Sequence, residues 1–459
     1  MIVGKKVQPP TGPALTKSFS PISSDTTQDQ DVDGLLSGIG WDLTSITYSF
    51  PNSTSDYGTS INGFREFNSA QQDAVRKILG TNSEGTIFGS VSAVTLLTFA
   101  EQTGDNDGSA LIRYAGRKTS DAYAFYPSEK PEGGDAWFTT AGYYDNPAIG
   151  TGGYTGIMHE TLHAVGLKHS FESSGFGPVP ADHGSLEYTV MSYSSFVGAK
   201  TWYGGEDDFP QTLMMDDIAA LQFMYGADFA YHSGDTSYEW DADNGALTIN
   251  DSEEVFDAPN TDKIFMTVWD GGGSDTHDFS DFTSGLTIDL RAGHWIATDD
   301  DSNTADLGAT DRDPAPHYAA GIIANALPAG GVDGNGAPNA TRALIENAIG
   351  GSGADTFVAN EAINEMTGGG GPDVFVWTSL ADAQNLAVGG GEDVITDFAS
   401  GDQIDLTALN IDHADRVEAG DGYDLIGYTT PAGDESFRVH VEGTFVEANW
   451  STHDDWLLT

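Results

Sequence analysis

The chain of 459 residues contains no cysteine. That excludes disulfide staples, thiolate metal ligands and a cysteine nucleophile. Basic residues are scarce: 18 Lys and Arg stand against 70 Asp and Glu, a formal net charge of −52. Nucleic acid and anionic membrane surfaces repel such a chain, so neither is expected as a partner. The balance fits a solvated acidic surface, a store of carboxylates for cations, or both. No run approaches the ~18 apolar residues of a membrane-spanning helix, so no membrane insertion is expected. The opening MIVGKKVQPPTGPALTKSF is basic but has no apolar core of about 7–15 residues, so it does not read as a secretory signal peptide.

Residues 159–169 read HETLHAVGLKH. His159 and His163, four apart, share one face of a helix. Glu160 sits beside the first histidine and reaches a metal-held water without being a ligand. Gly166 lets the chain turn with positive φ and brings His169 back toward the same point. Three neutral imidazoles with one open position form a catalytic zinc arrangement, whereas a structural site is closed by a fourth protein ligand. The bland alternative, an amphipathic helix with two surface histidines, does not explain Gly166 and His169. Further on, YTVMSYSS places Met191 where its thioether can pack beneath the site, and Tyr193 follows two residues later.

Before this motif, residues 1–30 read as a disordered leader. Residues 64–79 carry a helical stripe ending at Gly80, the runs 91–99 and 110–115 read as strands, and 210–225 reads as a helix. After about residue 230 Gly, Asp, Asn and Thr rise and helical patterns vanish. GGSGADTF (350–357) recurs as GGGGPDVF (368–375), an offset of 18 residues or two nonapeptides, with ANEAINEMT (359–367) as a degenerate unit between. This is the GGxGxDxUx pattern of calcium-binding parallel β-rolls. The glycines permit tight turns, the Asp supplies hard oxygen for Ca²⁺, and Phe357 and Phe375 point inward. The candidate calcium residues are Gly351, Gly353, Asp355, Gly369, Gly371 and Asp373. A partial third copy, GGGEDVITDF (389–398), keeps Asp393. DDDSNTAD (299–306) has carboxylates without a clean ligand spacing, and 401–459 returns to strand-like alternation.

HExxHxxGxxH followed by a Met-turn resembles the metzincin metalloproteases, and the Met-Ser-Tyr form resembles their serralysin branch. LLSGIGWDLTSITYSF (35–50), AYAFYP (122–127), GDAWF (134–138), MMDDIAALQFMYGAD (214–228), WDGGGSDTHDFS (269–280) and IENAIGGSGAD (345–355) extend the resemblance over most of residues 30–410. Departures are Ser170 where the family usually has Pro, His232 where it has Arg at a carbonyl-ligand position, a longer stretch at 297–343 and a shorter glycine repeat.

The resemblance implies an α+β zinc-protease domain at 31–230, metzincin-like, with a twisted sheet and long helices. An all-β domain at 231–459, with a short parallel β-roll, would follow a propeptide-like leader at 1–30. It implies one catalytic Zn²⁺ held by His159, His163 and His169, with Tyr193 as a mobile further ligand and oxyanion stabiliser. Glu160 would be the general base acting on a zinc-activated water, and Met191 a structural residue of the Met-turn. Several structural Ca²⁺ ions are implied, one near the domain junction through Gly234, Thr236, Asp270, Gly272 and Asp275, and a neighbour through Gly273, Asp275 and Glu346. Protein or peptide substrates would lie along the edge at 121–127. The tail DDWLLT (454–459) resembles the uncleaved signal for a type I exporter, implying a monomeric, extracellular endopeptidase of broad specificity. A narrow processing protease, or a calcium-dependent surface protein with a vestigial protease domain, are the alternatives.

Overall fold

The computed structural model describes residues 19–21, 27–82, 88–199, 205–251, 256, 262–308, 316–327, 341–382, 391–419, 422–429, 435–443 and 457–458. Most of its regular structure is β-sheet, with few helices.

The first half is built on a five-stranded sheet in the order Thr98–Gln102, Ser45–Ser49, Ile112–Arg117, Asp135–Thr139, Tyr123–Ala124. All pairings are parallel except the last. The strands Ile112–Arg117 and Asp135–Thr139 are buried almost throughout, as parallel strands covered on both faces are. Tyr123–Ala124 is the outer strand, short and half-buried. The helix Gly152–Val165 is the longest among the described residues, at 14 residues, and every one is buried.

Three expectations shift. The helix expected at 64–79 runs from Ser69 to Leu79, because Asn68 and Gln71 form a capping box there while Arg65 pairs with Gly116. The run 91–99 is not one strand: Val91–Val94 form a helical turn capped by the Ser90 side chain, and the strand starts at Thr98. A short apolar run has no periodicity to separate these states, and burial of Val91 and Val94 in the core decided it. The helix expected at 210–225 begins at Met215. Gln211 and Thr212 instead bond Phe265 and Thr267 of the second half, through Gln211 N–H to Phe265 O at 2.9 Å and Thr267 N–H to Thr212 Oγ1 at 3.0 Å. The end of the expected disordered leader is also structured: Thr27 N–H donates to Asp33 Oδ1 at 2.8 Å, and Gln30 opens the short helix Gln30–Asp33.

In the second half the chain alternates between a nine-stranded and an eight-stranded sheet. Asn347–Ile349 lies in the first, Thr356–Val358 in the second, Glu365–Thr367 in the first and Val374–Val376 in the second, each starting nine residues after the last. Within each sheet these neighbours are parallel and in register, Ala348 beside Met366 and Phe357 beside Phe375. The two phenyl rings stack with centroids 5.1 Å apart and are fully buried. In a three-residue strand only the central side chain faces inward, which is why one aromatic per 18 residues suffices on that sheet. Of the 297–343 stretch, Ile323–Asn325 pairs with Met266–Val268 and Trp295–Thr298; residues 309–315 and 328–340 lie outside the described set. Of the 454–459 tail only Leu457–Leu458 are described, parallel to Ile404–Asp405. No described helix is long and apolar enough to cross a membrane.

Candidate metal centre

The Gly152–Val165 helix stops at Gly166, whose φ of 118° only glycine adopts without strain. A Cβ there would also collide with the carbonyl oxygen of Ile39. The turn continues through Leu167 to Lys168, whose Nζ is buried and donates to the carbonyls of Gly34, Glu172 and Gly177. His169 is thereby returned to the helix. One nitrogen from each of His159, His163 and His169 lies within 4.8 Å of the others.

The outer nitrogens are all engaged. His159 Nδ1 lies 2.7 Å from Val190 O, His163 Nδ1 2.7 Å from Leu167 O, and His169 Nδ1 2.5 Å from Glu172 Oε1. Carbonyls and carboxylates only accept, so each Nδ1 carries a proton, and Nε2 is the atom through which each ring would meet a cation. The Nε2 atoms of His163 and His169 face each other at 3.1 Å. Burial lowers the pKa of His159 to about 3 and holds His163 well below its ordinary value, so both are neutral. Three converging imidazoles whose far nitrogens are anchored form a donor set that fits zinc.

Glu160 is buried, and its Oε2 has no hydrogen-bond partner. Burial first, then the Asp121 charge, pushes it up to about 8, against the backbone hydrogen bond from Ala124 on the outer strand. Met191 is fully buried. Tyr193 is half-exposed, its ring 4.7 Å from that of His169 and 5.7 Å from that of His159. Burial and the Glu160 charge push its hydroxyl to about 12, so it stays protonated. Phe171 lies parallel to His169 at 5.0 Å.

Three contributors were not legible in the motif. Glu172, three residues past His169, holds that ring. Lys168 ties the loop down. Asp217, at the start of the Met215–Tyr225 helix, accepts from Thr189 Oγ1 at 2.6 Å and Val190 N–H at 2.9 Å. It therefore fixes the same residue whose carbonyl orients His159. Only Glu172 had a local signal, its spacing.

The expected cation residues of the second half also come together in two groups. In one, Thr236 N–H donates to Asp275 Oδ1 at 2.9 Å, Asp275 N–H to Glu346 Oε2 at 2.8 Å, and Gly272 N–H to Asp270 Oδ1 at 2.7 Å. Gly234 O accepts from Thr236 Oγ1 at 2.9 Å, and a Cβ on Gly273 would strike the Gly234 carbonyl. Asp275 Oδ2 is buried without a partner. Burial, then the charges of Asp270 and Glu346, raises its pKa. In the other group, a Cβ on Gly369 would meet the carbonyl oxygen of Gly351, and one on Gly371 that of Gly353. Asp355 N–H donates to Asp373 Oδ1 at 2.8 Å. Stacked carbonyls beside stacked carboxylates, with an orphaned oxygen in the first group, fit hard cations such as Ca²⁺.

Residues 227–299 and 324–428 match the family model for the Peptidase M10 serralysin C terminal domain. Serralysin B of Dickeya chrysanthemi is 31% identical over 264 residues, covering 55% of this chain and 52% of the relative. Serralysin of Proteus mirabilis is 31% identical over 276 residues, 54% of this chain and 52% of the relative. Metallopeptidase AprA of Pseudomonas marginalis is 31% identical over 263 residues, with 54% and 52% covered. The chain thus spans about half the length of the curated relatives it matches. By its three-histidine centre and these matches, the chain is serralysin-like.

Proposed function

We propose that the protein is a secreted, zinc-dependent endopeptidase of broad specificity, with its catalytic machinery in residues 31–230 and a calcium-binding β-roll in 231–459. The observation that carries this reading is the convergence of three anchored histidines beside Glu160, against an open strand edge.

His159, His163 and His169 would hold the metal, with Tyr193 poised to approach it. Bound zinc would supply Lewis acidity, making a water nucleophilic near neutral pH and polarising a carbonyl. Glu160, with a buried Oε2, accepts the proton of the attacking water and passes it to the leaving amine. The Tyr193 hydroxyl, protonated at neutral pH, donates to the oxyanion that develops on the scissile carbonyl. Tyr123–Ala124 leaves backbone groups for an extended substrate strand, which gives affinity without demanding a particular sequence.

Asp270, Asp275 and Glu346, together with the glycine turns at 350–355 and 368–373, are the calcium ligands of this reading. Carboxylates crowded without calcium repel one another, so the second half would gain stability on reaching calcium outside the cell by a type I exporter. Casein zymography tests the activity. Clearing by the wild type, lost in Glu160→Ala and with a zinc chelator, is expected. Equal clearing by Glu160→Ala would refute the mechanism, and no clearing by the wild type would refute broad specificity.

A further inference from the structure

Tyr193 sits in a loop, 184–199, that is tied on both sides of the tyrosine. Ser192 Oγ donates to Gly184 O at 2.7 Å, and Leu186 N–H donates to Ser194 O at 2.9 Å. The two neighbours of Tyr193 are thus bonded to the stretch that leads into Glu187. Glu187 is buried, and its Oε2 accepts from Ser185 Oγ at 3.1 Å and from Val197 N–H at 3.2 Å. Its other oxygen, Oε1, accepts from Ala320 N–H at 3.0 Å, 133 residues further along the chain. One carboxylate therefore joins both ends of the tyrosine loop to the second half of the protein.

Ala320 belongs to an arm made of residues 303–308 and 316–320. At its base Asn303 Nδ2 donates to Ala242 O at 2.9 Å and to Asp262 O at 2.7 Å. Asp306 and Tyr318 form an antiparallel bridge, Leu307 N–H donates to His317 O at 2.7 Å, and Ala319 N–H donates to Ala305 O at 2.9 Å. Ala305 and Leu307 are fully buried, so the arm is a packed element of the second half. It meets the first half at two further places. Asp306 N–H donates to Asp208 Oδ1 at 2.9 Å, and the His317 ring stacks on Phe196 of the tyrosine loop with centroids 3.6 Å apart. The arm falls between the two stretches that match the family model, 227–299 and 324–428, so that match assigns it no role. The three histidines are oriented by Val190, Leu167 and Glu172, whereas Glu187 and Phe196 carry the arm's contacts to the tyrosine loop.

We infer that this arm of the second half positions Tyr193, with Glu187 as the positioning residue through which it acts. A hydroxyl that must meet a developing oxyanion works only if its loop holds it within hydrogen-bond reach, and a drift of about 1 Å is costly in rate. The inference rests on the reading of Tyr193 as the oxyanion donor. It makes the cleft a joint product of both halves: loss of the arm's contacts leaves the histidine centre formed and the tyrosine unplaced.

Ala320→Pro removes the N–H that Glu187 accepts, and His317→Ala removes the stacked ring; both changes lie on exposed residues outside the cleft. Hydrolysis of a peptide substrate by the full-length, zinc-loaded protein is measured for each variant, alone and combined with Tyr193→Phe. The expected result is a several-fold fall in kcat with KM and zinc content unchanged, and no further fall when either change is added to Tyr193→Phe. Losses that multiply in the double variants, or an unchanged kcat in both single variants, would overturn the inference. Hydrogen exchange of the 184–199 segment supplies a readout that needs no activity: uptake should rise in both variants, and unchanged uptake in both would overturn the inference. If Ala320→Pro does not fold, His317→Ala alone decides by the same two measurements. A wild type that cleaves nothing would remove the protease reading, and the exchange measurement would still decide whether the arm holds the loop.

Discussion

His169 donates its Nδ1 proton to Glu172 at 2.5 Å, while its Nε2 points at Nε2 of His163 at 3.1 Å. Glu172 thus does for the third histidine what backbone carbonyls do for the first two. A carboxylate is the stronger partner of the three, because it places negative charge behind the imidazole and raises its basicity toward a cation. This ligand also sits on a loop rather than on the helix, where an anchor is most needed.

Glu172→Ala should weaken zinc binding by about 10–100-fold, the range found when a partner of a metal-bound histidine is removed. Competition with a chromophoric chelator measures it. Glu172→Gln, which keeps an acceptor but not the charge, should fall between wild type and alanine. Unchanged affinity in both variants would remove Glu172 from the centre.

Asp217 should act as a positioning residue through Val190. Its removal strands the N–H of Val190 and the hydroxyl of Thr189, at about 1–3 kcal/mol per buried group. Asp217→Ala should lower both the unfolding free energy and zinc affinity, and Asp217→Asn should restore part of each. A loss of stability with zinc affinity intact would show that the aspartate only braces the fold.

His183 lies 3.1 Å from Asp216 and 3.6 Å from Asp31. Burial opposes its charge, but the hydrogen bond and charge of Asp216, with Asp31 and Asp182, outweigh it and raise its pKa above 6.5. The folded state therefore binds this proton more tightly than the unfolded chain. The resulting stability is fully present below about pH 6.5 and is lost as pH rises through the raised value. Thermal melts from mildly acidic to alkaline pH should show the advantage of wild type over His183→Gln shrinking as pH rises. A constant difference would contradict the ion pair.

Gly371 has φ +120°, and a Cβ would collide with the Gly353 carbonyl. Gly371→Ala should cost about 1–3 kcal/mol from backbone strain alone, more with the clash. Gly58, at φ +65° with nothing within 4 Å of a Cβ, is the control and should lose less. Denaturant unfolding in calcium compares the two, and equal losses would show that the stacked turn has slack.

Much of the centre was legible because its parts are close in sequence. Spacing of four on a helix and a glycine at its end are enough to bring His159, His163 and His169 together. The 18-residue offset of Phe357 and Phe375 likewise appears as direct stacking. Val91–Val94 was misjudged because a short apolar run carries no period, and the choice fell to core packing and the Ser90 cap. The start of the Met215–Tyr225 helix was misplaced because Gln211 and Thr212 bond to residues more than fifty positions away.

The sequence alone determined the donor types: three imidazoles, a neighbouring carboxylate, a turn glycine and a periodic run of glycine and aspartate. These follow from local geometry, since a helix and a short strand repeat impose their own spacing. Tertiary structure alone decided what orients His159, the carbonyl of Val190, 31 residues away. It also decided that the buried amides of Asn360 and Asn364 bond the carbonyls of Leu290, Ile345 and Glu346. These are hydrogen bonds to distant backbone, and burial makes them obligatory because an unpaired polar group inside the protein costs more than the bond itself returns.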